Sequence, residues 1–142
     1  MLGSVAIYLV KYYSDTSDPQ YRAEQQLKEL QKQYAEDPYG GNTPEETLRL
    51  FIEALKAGDT DLAAKYFILD KQEKWKRDLA VIKDKGLLDD TIKDLERLRK
   101  RYPLGNDNNR FIFEFDALKS DELTMQADIS RGPNGKWKII DI

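Results

Sequence analysis

The sequence predicts an α+β fold with helices first and an antiparallel sheet last. Three observations predict it. As far as Tyr102, apolar residues recur at i, i+3 or i+4, and i+7, the spacing of one helix face. From Arg110 onward they alternate with polar residues, the spacing of a half-buried strand. Between the two regimes stands Pro103-Leu-Gly-Asn106, a strong chain breaker.

The chain has 142 residues, 35% of them charged and 40% hydrophobic, which suits one soluble domain with an ordinary core. Net charge is -3 and pI about 5.1, so bulk charge does not favour nucleic acid. There are no cysteines, which excludes disulfides, thiol catalysis and thiolate metal sites. There are no histidines, so the usual base near neutral pH and the commonest metal ligand are both missing. No cofactor is expected.

Taken in order, Met1–Val10 is apolar apart from Gly3 and Ser4 and runs into Lys11-Tyr12-Tyr13. It is shorter than the roughly 20 apolar residues that span a bilayer, yet its Lys and Tyr end resembles the interfacial end of a membrane helix. Residues 1–13 therefore read as a truncated membrane anchor, with a terminal helix or strand packed on the domain as the alternative. Ser14–Gln20 is a polar linker in which Asp18 caps a helix and Pro19 takes its first position. That helix runs to about Ala35 on a thin stripe of Ala23, Leu27, Leu30 and Tyr34, as suits a stalk, a pairing helix or a helix lying on the domain edge. Asp37-Pro-Tyr-Gly-Gly-Asn42 breaks it, so residues 14–42 form a helical stalk and linker, and 43–142 the domain.

Thr43–Gly58 is the organising helix. Thr43 caps it, Pro44 fits its first position, Glu46 completes a capping box, and Gly58 ends it. Leu48, Phe51, Ile52 and Leu55 are its stripe. Asp59 or Thr60 caps a following Ala-rich helix, Asp61–Leu69, with Leu62, Tyr66 and Leu69 on one face. Asp70 and Glu73 predict a second capping box, opening a helix with Trp75, Leu79 and Ile82 that Gly86 ends. Leu88, Ile92, Leu95 and Tyr102 predict one more helix, stopped by Pro103. The strands follow. Phe111, Phe113 and Phe115 share one face, as do Leu123, Met125, Ala127 and Ile129, then Trp137 and Ile139. Ala117–Glu122 and Arg131–Gly135 are the turns.

Thr43-Pro-Glu-Glu, Phe51, Ala54-Leu-Lys-Ala-Gly-Asp59, the Ala-rich short helix and the closing Gly135-Lys-Trp-Lys-Ile139 resemble the nuclear-transport-factor-two-like superfamily, which includes polyketide cyclase and ketosteroid isomerase relatives. The resemblance covers residues 43–142. It implies a curved antiparallel sheet wrapped around helices into a cone. The family's enzymes work through Asp, Tyr and often His inside the cone, but no residue here matches such a motif closely enough to inherit a catalytic role. The family also usually has strands earlier than Arg110. An anchor, a helix and such a domain is a layout similar to a component of type IV secretion assemblies and to other anchored bacterial proteins, an analogy that does not fix function.

Four groups of side chains are candidate sites. Tyr66, Trp75, Phe111, Phe113, Phe115 and Trp137 could line an aromatic cone pocket for a small apolar ligand, or simply pack the core. Asp141 is the carboxylate that alternation places beside them, on the face of Trp137. Glu114, Asp116, Thr124 and Asp128 lie on the opposite, polar strand face, where exposure is expected; with Ile112 and Ile140 that face suits sheet-face dimerisation better than acid–base catalysis. Arg97, Arg99, Lys100 and Arg101 form the densest basic run, read either as a lipid or nucleic-acid contact or, preferably, as cations completing the C-terminus of a helix whose start carries Asp89 and Asp90. Asp107-Asn108-Asn109 lacks the spacing of a calcium loop and reads as a turn.

The expected function is a non-enzymatic binding or assembly module, membrane-anchored and facing the extracytoplasmic side, with a protein partner or a second copy of itself. The alternative is a small-molecule binder or carboxylate-dependent enzyme using the cone.

Overall fold

The computed structural model describes residues 18–116 and 124–142. The anchor reading of 1–13 and the turn at 117–122 both lie outside them. The described chain is α+β, five helices followed by a four-stranded antiparallel sheet that does not close on itself. It divides into two compact units, with the boundary between Asp37 and Pro38.

In the first unit α1 spans Pro19–Glu36. Asp18 caps it as its sequence implies, accepting from the Gln20 N–H at 3.0 Å. Tyr34 is buried, whereas Leu27 and Leu30 of the same stripe are exposed.

In the second unit the compact structure starts at Pro38 rather than Thr43. Helix α2 spans Pro44–Lys56. Thr43 Oγ1 accepts from the Glu46 N–H at 3.1 Å, while Glu46 reaches back to the Asn42 N–H at 3.0 Å, one residue beyond the usual capping-box partner. At its other end the Gly58 and Asp59 N–H groups bond to the Leu55 and Ala54 carbonyls, with Gly58 at φ 72°. Leu48, Phe51 and Leu55 are buried as the stripe requires.

The next segment departs from expectation. Helix α3 is only Thr60–Ala64, capped by Asp59. The chain then straightens, and Phe67 forms a parallel bridge with Ile139. Leu69 is therefore not on a helix face, and the fully buried aromatic is Phe67. A 3₁₀ turn, Leu69–Lys71, leads into α4, Gln72–Asp84. The predicted Asp70–Glu73 capping box does not form, since the N-cap is Lys71 and makes no side-chain bond. Gln72 ties the junction instead, its Nε2 donating to the Phe67 carbonyl at 3.0 Å. Helix α5 is Leu88–Leu95, and there the helical regime ends.

The sheet consists of β1 (Leu98–Pro103), β2 (Arg110–Asp116), β3 (Thr124–Arg131) and β4 (Trp137–Asp141), paired in that order. Register places Phe113 opposite Ala127 and Ile129 opposite Ile139, a buried row facing the helices. Phe51, Phe67 and Trp75 join α2 to α4 through an edge-to-face contact at 5.4 Å and a stack at 4.6 Å.

Beta strand β4 is fastened on its outer side. Its Trp137 N–H donates to the Gly41 carbonyl at 2.9 Å and its Ile139 N–H to the Tyr66 carbonyl at 2.8 Å. Thr47 closes the first of these contacts into a ring, with its fully buried hydroxyl accepting from the Gly41 N–H and donating to the Trp137 carbonyl, both at 2.9 Å. Gly41 must be glycine for this approach, because an added Cβ would lie 2.6 Å from Glu46 Cβ and 2.7 Å from the Thr47 nitrogen.

Candidate functional site

A cleft of about 350 Å³ with an apolar floor and charged walls lies between α2 and the start of β1. Helix α2 supplies Leu48 and Ile52 because these share its inward stripe. Helix α5 supplies Leu95, β2 supplies Phe113, and the entry into β1 supplies Leu98. Leu95 and Phe113 are 1% and 0% exposed, whereas Leu98 is 48% exposed, so the floor is closed and the lip is open.

Charge surrounds this floor. Glu45, Arg49, Glu53 and Lys56 form the solvent-facing stripe of α2, and Glu96 stands across from it. Arg49 pairs with Glu53 at 2.7 Å, Lys56 with Glu96 at 2.5 Å, and Arg101 with Glu45 at 2.5 Å. All six side chains are 43–58% exposed, so these pairs contribute little to stability and exchange readily for other partners.

Alpha helix α5 ends at Leu95, and the chain then turns directly into an extended strand. The basic run Arg97–Arg101 thus lies in and just before β1, not in the last turn of a helix, and the helix-dipole explanation is overturned. Pro103 favours extended backbone at Tyr102, and pairing with β2 carries the strand back to Leu98.

The aromatic side chains proposed for a cone pocket are placed as follows. Tyr66, Phe113, Phe115 and Trp137 are buried in the core, and Trp75 and Phe111 pack against it. Phe113 also lines the cleft. Trp75 Nε1 is buried with no hydrogen-bond partner among the described residues. Burial raises the Tyr66 phenol above its ordinary pKa, with Tyr39 and Glu53 adding to the shift and Arg49 opposing it. Asp141 does not lie beside the aromatic row. A register shift between Asp128 and Ile129 brings it opposite Asp128, exposed and 3.7 Å from Lys71.

On the other sheet face each carboxylate has its own partner. Glu114 accepts from Tyr102 at 3.2 Å, Asp116 faces Arg99 at 3.7 Å, and Asp128 holds Arg110 through Nε at 2.8 Å. Ile112, expected outside, is buried, while Ile140 is half-buried. Asp107 forms the expected turn with the Asn109 N–H at 3.2 Å, which holds its carboxyl below the usual range. Among the described residues, no cluster of His, Cys, Asp or Glu could hold a metal ion, and no helix is long and apolar enough to cross a membrane.

No family model, curated protein or solved structure matches the chain. The fold and the cleft therefore stand on their own physical features.

Sequence reasoning missed four residues that matter. Leu98 was absorbed into a predicted helix. Phe67 stood outside the helical stripe, and its place beside β4 depends on a contact distant in sequence. Thr47 reads as an ordinary helical residue until Gly41 and Trp137 approach it. Lys138, expected on the polar face, is fully buried with Nζ 2.6 Å from the Lys65 carbonyl just past α3. Only Leu98 left a signal in the sequence, the Tyr102-Pro103 step.

Proposed function

We propose that the chain is a non-enzymatic docking module whose cleft between α2 and β1 receives an apolar side chain of a partner protein. One observation carries this reading, the apolar floor of Leu48, Leu95 and Phe113 beneath an open rim of exchangeable ion pairs. Burying a leucine-sized anchor there contributes about 1.5–3 kcal/mol, and the rim charges set orientation and choice of partner. The helices covering the inner sheet face support a cone of the nuclear-transport-factor-two-like kind. The apolar run Met1–Val10, ending in Lys11-Tyr12-Tyr13, supports anchoring to a membrane.

A small apolar ligand is the second reading, favoured by the cleft volume, since ligand pockets occupy about 300–1,000 Å³. A photo-crosslinking residue at Ile52, compared with one at the exposed Asp61, separates the two in cells that make the protein. A discrete protein adduct at Ile52 and not at Asp61 is the expected result. Adducts of small-molecule mass alone, or none above the Asp61 control, would overturn the docking reading.

A further inference from the structure

We propose that β1 is an open sheet edge that takes up an extended acidic segment of the partner as an added strand, which lowers one of its apolar side chains into the cleft. This rests on the docking reading of that cleft. The two edges of the sheet differ. The outer side of β4 is bonded to Gly41 and to Tyr66 and Ile68, whereas β1 pairs with β2 alone among the described residues. Every β1 residue except Tyr102 is exposed. Such an edge offers a row of unpaired N–H and C=O groups, the template for strand addition.

The chemistry of the occupant follows from charge. Arg97, Arg99, Lys100 and Arg101 concentrate positive charge at this edge of a chain whose net charge is -3. A second copy of β1 would lay Arg and Lys against Arg and Lys, which disfavours self-pairing. An acidic strand is complementary. Register sets its pattern. Leu98 and Arg101 lie opposite Phe115 and Phe113, on the cleft side, while Lys100 and Tyr102 lie opposite Glu114 and Ile112, on the other face. An added strand therefore presents alternate side chains to the cleft and to Lys100, so the recognised segment alternates apolar and acidic residues. Single-stranded nucleic acid fits less well, because its sugar-phosphate backbone carries no alternating N–H and C=O groups to pair with the open edge.

The test uses the full chain, isotope-labelled for nuclear magnetic resonance, and a short synthetic peptide alternating Glu with Val or Leu. Added peptide is expected to slow exchange of the outward amides of Leu98–Tyr102 and to shift the methyl signals of Ile52, Leu95 and Leu98. Replacing its Glu residues with Lys, or introducing Lys100→Glu in the protein, is expected to weaken binding by about tenfold. N-methylating alternate peptide residues removes the pairing donors without touching the protein, and is also expected to weaken binding by about tenfold. Methyl shifts in the cleft with no protection of β1 would overturn strand addition and leave cleft docking standing. Absence of both changes would overturn strand addition, with the Ile52 crosslink then deciding the cleft alone. Concentration-dependent protection of β1 without peptide would make the occupant a second copy. Tighter binding of oligothymidylate than of the acidic peptide at β1 would make it nucleic acid. Either result would overturn the proposal.

Discussion

Thr47 shows how much one hydroxyl can organise. It bonds to Gly41 and to Trp137, and so joins the segment before α2 to the last strand. Thr47→Val preserves shape but leaves the Gly41 N–H and the Trp137 carbonyl short of a partner. It is expected to lower unfolding free energy by about 1–3 kcal/mol in denaturant titrations. Thr47→Ser, which keeps the hydroxyl, is expected to lose less. Nothing in the sequence distinguishes Thr47 from a solvent-facing helical threonine, because its partners lie 6 and 90 positions away. Tyr66 yields a pH prediction. Burial favours its neutral form in the folded state, so its phenol titrates above the ordinary value. The resulting stabilisation is complete below that ordinary value and is lost as pH rises through the higher folded one. Ultraviolet titration of the folded protein, compared with a Tyr66→Phe variant, is expected to assign a late-ionising phenol to Tyr66. An unchanged titration curve in that variant would contradict this.

Among the elements, those legible in sequence carry their own punctuation. Helix α2 has Thr43, Pro44, Glu46 and Gly58 at its ends, and β2 to β4 carry an apolar residue at every second position, so both follow from local rules. The failures lie where a local pattern was ambiguous or was outweighed by distant pairing. Leu88, Ile92, Leu95 and Tyr102 fit a helical stripe, yet the Tyr102-Pro103 step and pairing with β2 pull Leu98–Pro103 into a strand. Asp70 and Glu73 have capping-box spacing, yet the parallel bridge of Phe67 with Ile139 sets where α4 begins. Phe67→Ala tests this second case. It removes a fully buried ring that contacts Phe51 and Trp75, and is expected to destabilise the protein by about 3–5 kcal/mol. Leu98→Asp makes the opposite point at the edge strand. Because Leu98 is half exposed, the substitution is expected to change stability by about 0.5 kcal/mol or less while reducing docking in the cleft. A large loss of thermal stability in that variant would mean that Leu98 belongs to the core and not to a binding lip.

At the scale of the whole molecule, the buried cluster lies entirely within 38–142, and its partly buried neighbours begin at Tyr39. A fragment comprising 38–142 is therefore expected to unfold cooperatively, as followed by circular dichroism, whereas one starting at Thr43 loses the Gly41 contacts and is expected to be less stable. The candidate site was legible only in part. Leu48, Ile52 and Phe113 were predicted to face inward, but the cleft they share with Leu95 and Leu98 depends on where α5 stops, which periodicity did not resolve. The central claim is that one edge of the sheet is closed by the chain itself and the other is left open for a partner. Residue-resolved amide hydrogen exchange on the free full chain tests this most directly. Protection is expected to alternate along Leu98–Tyr102, with outward amides exchanging fast, and exchange to be slow at Trp137 and Ile139, whose N–H groups are bonded outward to Gly41 and Tyr66. Uniformly slow exchange along Leu98–Tyr102 in the free, monomeric protein would contradict the open edge, because the edge offered to a partner would already be occupied.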